Sequence, residues 1–199
     1  MTLPELTPEE IEERVTIDRS TRYPVMFFFT SAAAWLLVAT LLGFISSLKL
    51  RLPGLWDDFS VLGYGRLFPA HLNALVYGWG MQAGVGVILW LMARLTRTQL
   101  SNRAGILVVG HIWNAGVTFA VLTVLIGYGN SLPLLDFPKW VWPFLSISYL
   151  LIVVGIIPMF CKRRESLVYV SEMYLIGAAL WFPWIFITAN IIIGKGTAP

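Results

Sequence analysis

Charge is absent from five long stretches of the chain, residues 23–48, 67–93, 104–135, 140–161 and 173–194. Each is longer than the roughly 20 apolar residues that cross about 30 Å of hydrocarbon as a helix. Membrane strands need only about 10 residues and alternate in polarity; these stretches do not alternate. The pattern predicts an all-α membrane protein with five transmembrane helices, at about 23–48, 67–93, 104–128, 140–161 and 167–194. Residues 1–22 are polar and form a separate N-terminal segment. Within it, Thr7-Pro8-Glu9-Glu10 reads as an N-cap, a Pro at the first helical position and an acidic first turn, which predicts a short surface helix. No cleavable signal peptide is expected at the start. No repeat of 20–50 residues is present, so residues 23–199 form one membrane domain.

Composition agrees. Only 13% of the 199 residues are charged, about half the share of a soluble domain. Twenty-eight are aromatic, two are His and one is Cys. Disordered chains, disulfide scaffolds and nucleic-acid modules are excluded; the lipid bilayer is the expected environment, and no nucleic-acid partner is expected. The net charge of +3 reports basic loops. With the N-terminus cytoplasmic, Arg14, Arg19, Arg22, Arg94, Arg97, Arg103, Lys162, Arg163 and Arg164 lie inside, against Lys49, Arg51, Arg66, Lys139 and Lys195 outside. That bias predicts a cytoplasmic N-terminus and a periplasmic C-terminus.

Polar groups inside a membrane mark function or pairing. They are His71, Asn73 and Gln82 on the second span, His111 and Asn114 on the third, and Glu172 and Asn190 on the fifth. His71 lies near the outer end of its helix. Ala74, Leu75, Gly78 and Gln82 continue its face at helical spacing, and Ala74 and Gly78 leave a shallow lane beside the imidazole. Such a lane suits a flat macrocycle held by a histidine. Small residues four apart equally serve close helix packing, so both readings stand at this level. His111 lies near the opposite end of its span. The two histidines differ in depth by roughly 10 Å or more at 1.5 Å per residue, too far to ligate one haem together. Glu172, one turn from the inner loop, is a candidate for a proton path or a paired interfacial carboxylate. No Cys-x-x-Cys-His, His-x-x-x-His or phosphate-binding glycine loop occurs. A complete redox centre cannot be assembled from this chain's residues.

The run Tyr64-Gly65-Arg66-Leu67-Phe68-Pro69-Ala70-His71-Leu72-Asn73-Ala74, continuing Tyr77-Gly78-Trp79-Gly80, resembles the second helix of subunit I of haem–copper oxygen reductases. The likeness is nearest to the cbb-type cytochrome c oxidases, with nitric oxide reductases next. Ile17-Asp18 with Pro24-Val25-Met26-Phe27-Phe28-Phe29 is similar to that family's approach to helix I. Lys162-Arg163-Arg164-Glu165 with Val168-Tyr169-Val170 is similar to its approach to helix V. The sequence departs from the family at Phe68, where many members carry a basic residue, and in having five helices where subunit I has twelve or more.

The resemblance implies that His71 is an axial ligand of a low-spin haem b, with the second ligand supplied by a partner chain. It also implies a high-spin haem and copper on that partner, which carries the remaining subunit I helices. Electrons would arrive from a c-type cytochrome, and the complex would be a terminal respiratory oxidase of a bacterial inner membrane, with no catalytic residues in this chain. Other readings are a small cytochrome b anchor linked to quinone, or a non-redox assembly or transport subunit.

Overall fold

The computed structural model describes residues 7–130, 132–164 and 167–196. Five helices are long and apolar enough to cross a membrane, and no strand occurs among the described residues. They are α1 (Pro8–Arg51), α2 (Tyr64–Leu95), α3 (Arg103–Leu125), α4 (Val141–Cys161) and α5 (Val170–Gly196). α2 is central and touches each of the other four, most extensively α1. Large apolar side chains such as Leu37, Phe119 and Trp181 stay exposed on the outer faces. A helix that is apolar all round is buried in a membrane or in a larger protein core, and these faces are apolar enough for either.

The expected surface helix and first span are one uninterrupted helix. Its start is the expected one: the Thr7 hydroxyl accepts from Glu10 N–H, and the Glu10 carboxylate accepts from Thr7 N–H, a reciprocal capping box. Polar residues 8–22 then continue the same winding, and Pro24 sits inside the helix without breaking it. Forty-four residues rise about 66 Å, twice the hydrocarbon thickness. The first turns therefore project beyond the spans.

Loops hold that projection in place. Arg94, at the end of α2, donates through Nε and Nη2 to both oxygens of Asp18, at 3.0 and 2.9 Å. Glu13 accepts from Arg97 in the α2–α3 loop and from Arg164 in the α4–α5 loop, and Leu100 N–H donates to Ser20 Oγ. Partial burial works to raise the Glu13 carboxyl, but hydrogen bonds from Arg97 and Arg164 outweigh it, leaving its pKa below the ordinary 4.5. A lowered folded pKa means stabilisation present above the unfolded value and lost as pH falls through the folded one. Amide exchange in residues 8–19, corrected for intrinsic rates, should accelerate as the pH drops below about 4. In Glu13→Gln it should already be fast at neutral pH. Equal protection in both proteins at pH 7 would refute the clasp.

Within α2, residues Ala74–Gly80 wind as a π-helical segment. Met81 N–H reaches back five residues to Val76 O, and the Trp113 indole donates to the Tyr77 carbonyl at 3.1 Å. The expectation of one continuous face from His71 to Gln82 assumed a period of 3.6; the wider turn breaks that phase between them.

Candidate functional site

His71 stands in the second turn of α2, two residues after Pro69. The ring is half-buried and enters a notch in α1 formed by Ala39 and Gly43, one turn apart. Its Nδ1 lies 2.7 Å from the Ala39 carbonyl. A carbonyl only accepts, so Nδ1 carries a proton, and in the neutral tautomer of that kind the lone pair is on Nε2. Nε2 has no hydrogen-bond partner among the described residues. A Cβ on Gly43 would lie 2.7 Å from His71 Cε1, closer than any real contact, so the ring's place requires glycine there. One nitrogen fixed by a backbone carbonyl and the other available is the arrangement of an oriented metal-ligating imidazole. The residues present thus fit an axial haem ligand.

Ala74 is fully buried one turn further along. At Gly78 the position a side chain would take is filled by Trp35 of α1, whose Cδ2 lies 2.5 Å from an ideal Cβ. The small-residue lane is therefore the seat of an indole in this structure. Gly86 likewise seats Phe29, whereas a Cβ on Gly84 would meet nothing within 4 Å.

Trp35 leads to a polar junction of three helices. Its Nε1 donates to Asn114 Oδ1 at 2.9 Å. Gln82 Nε2 donates to the same oxygen at 3.0 Å, and Asn114 Nδ2 donates to Gln82 Oε1 at 2.9 Å and to Ser31 Oγ at 3.3 Å. Each such bond between membrane helices is worth about 0.6–2 kcal/mol. Asn73, on the other side of α2 from the notch, anchors the α3–α4 loop through Nδ2 to Asp136 Oδ2 at 2.7 Å. Burial raises the Asp136 carboxyl above its ordinary pKa, opposed by the Asn73 donor. The intramembrane amides were visible in the sequence. Their partners Trp35 and Asp136 were not, because a contact across helices leaves no spacing signal.

The two histidines stay apart. His111 bonds back to the Leu107 carbonyl at 2.8 Å and stacks on Phe27, ring centres 4.4 Å apart. Its neighbour Phe27 and His71's neighbour Ala39 are twelve residues apart on α1, about 18 Å along the axis. Glu172 is fully buried in the first turn of α5, and among the described residues neither carboxylate oxygen has a hydrogen-bond partner. Asn190 bonds to the Phe186 carbonyl. Among the described residues no three His, Cys, Asp or Glu side chains converge as a metal site; both histidines hold Nδ1 against a backbone carbonyl, and only His71 does so across helices.

Residues 23–196 match the family described as cytochrome c and quinol oxidase polypeptide I. The chain is 24% identical, over 98% of its length, to the cytochrome c oxidase subunit 1 homolog, bacteroid, of Bradyrhizobium diazoefficiens. It is 22% identical, over 88% of its length, to the cytochrome c oxidase subunit 1 homolog of Azorhizobium caulinodans. It spans about a third of each relative, 33% and 31% of their lengths. With a matched stretch that takes in all five spans and the His71 notch, the chain belongs to the cytochrome c and quinol oxidase polypeptide I family.

Proposed function

We propose that this chain is a haem-binding membrane part of a terminal respiratory oxidase, equivalent to helices I–V of subunit I. In this reading His71 Nε2 is one axial ligand of a low-spin haem b. The observation that carries it is the bond from Nδ1 to the Ala39 carbonyl, which sets both tautomer and ring orientation for ligation. Ala74 and Gly78 are the small residues that would line the haem site beside His71, with Trp35 of α1 packed on Gly78. Bound there, the haem supplies one-electron redox chemistry between a c-type cytochrome and an oxygen-reducing haem–copper centre. The second axial ligand, the high-spin haem and the copper belong to the remaining subunit I helices, contributed by a partner chain in the bacterial inner membrane. Catalysis is a property of that complex. The N-terminus is cytoplasmic and the C-terminus periplasmic, as the basic loops favour.

The test is purification in mild detergent followed by reduced-minus-oxidised absorption. A low-spin b-type spectrum is expected, together with a retained membrane chain of about seven helices bearing the missing histidines. A stable five-helix monomer carrying a six-coordinate haem would overturn the proposal.

Glu172 belongs to the same proposal as a proton-path residue near the inner surface. A buried carboxylate with no protein partner is costly unless protonated or served by water. Glu172→Gln should slow turnover several-fold and leave the haem spectrum unchanged. Wild-type turnover and pumping in that variant would make the residue structural.

A further inference from the structure

At the opposite end of α1 from the His71 notch lies an open cleft of about 410 Å³ between α1 and α2. Both helices change character at the same level along it. On α1, Asp18, Arg19 and Arg22 give way to Val25 and Met26; on antiparallel α2, Arg94 gives way to Trp90. The Arg94–Asp18 bridge at 2.9 Å locks the two helices at that level, and the Arg94 guanidinium also lies 4.8 Å from the centre of the Trp90 ring. One rim of the cleft is therefore basic and the other apolar.

The charges do not cancel. Asp18 is the sole acid lining the cleft, against Arg19, Arg22 and Arg94, and Arg94 already engages both of its oxygens. Arg19 and Arg22 are exposed and have no carboxylate partner among the described residues. Met26 and Trp90 are exposed beneath them, at 55% and 40%.

We propose that this cleft binds an anionic phospholipid. Its phosphate lies against the guanidinium groups of Arg19 and Arg22, which present planar donor pairs to phosphate oxygens, while Arg94 stays on Asp18 and adds its charge to the same rim. Its acyl chains run over Val25, Met26 and Trp90. A free phosphate ion would leave the apolar rim unused. An acidic protein segment fits less well, because the cleft sits where α1 becomes charge-free at Tyr23, the boundary between headgroups and hydrocarbon. Basic pockets at that boundary, between spans, recognise lipid headgroups. The inference needs the spans but not the haem assignment.

The experiment uses the purified, delipidated oxidase complex and native mass spectrometry. It is titrated with dioleoylphosphatidylglycerol, dioleoylphosphatidylcholine or inorganic phosphate. The wild type should retain phosphatidylglycerol in preference to phosphatidylcholine, and phosphate should not displace it. Arg19→Gln/Arg22→Gln should weaken retention about tenfold or more, with the haem spectrum unchanged; Arg19→Lys/Arg22→Lys should recover most of it. If the double Gln variant does not assemble, Arg19→Gln and Arg22→Gln singly carry the same comparison, each with about a fivefold loss. Three results would overturn the site: undiminished phosphatidylglycerol in the Gln variants, displacement by phosphate, or loss of a co-purifying protein while the lipid stays bound.

Discussion

His71→Ala is expected to abolish the low-spin haem b signal in the assembled complex, while His111→Ala leaves it intact. The imidazole is the one group in its notch able to ligate iron, and alanine offers no lone pair. Methionine can ligate but raises the potential, so His71→Met should shift the midpoint upward wherever haem is retained. A companion change separates position from identity. Gly43→Val keeps the ligand but places a Cβ 2.7 Å from His71 Cε1, so the ring must leave the Ala39 carbonyl. Haem occupancy should fall sharply with His71 still present. The comparison is made by reduced-minus-oxidised absorption on complexes of matched subunit content. A normal six-coordinate haem in His71→Ala, with its loss in His111→Ala, would reverse the assignment.

Gly78→Leu carries the second large effect. Even the first carbon of the new side chain would lie within 2.6 Å of two Trp35 ring atoms. The indole must swing out, which breaks its bond to Asn114 and disturbs Gln82 and Ser31 in the same junction. Overpacking of this kind costs about 1–3 kcal/mol, and a deserted buried hydrogen bond adds a similar amount. The variant should melt at lower temperature and load less haem. Gly78→Leu/Trp35→Ala should recover part of the lost stability, because the clash then has no second partner. Wild-type melting and haem content in the single variant would show that the indole does not hold this face.

The five spans were legible because lipid imposes a crude and strong rule, long apolar stretches bounded by charge. His71 was legible for a related reason: a titratable side chain in such a stretch needs a justification. The notch was not. Ala39 and Gly43 are ordinary small residues in the first span, and only packing brings them to His71. Trp35 was equally hidden, since an aromatic in a membrane helix more often faces lipid than a glycine on its neighbour. The unbroken length of α1 escaped notice because polarity marks where a helix leaves the membrane, not where it stops. Local chemistry at Thr7 did mark its start correctly.

The wide turn at Ala74–Gly80 has a consequence for how this helix tolerates insertions and deletions. Removing one residue there would let the segment wind as ordinary α-helix without a gap. The portions on either side would keep their aim, His71 in its notch and Gln82 on Asn114, whereas the same deletion from an ordinary α-helical turn between them would swing the outer portion by about 100°. The same deletion before Tyr64 would be absorbed by the loop. Helix length and helix aim are thus separately adjustable here, because the wide turn stores a residue that can be lost without turning His71.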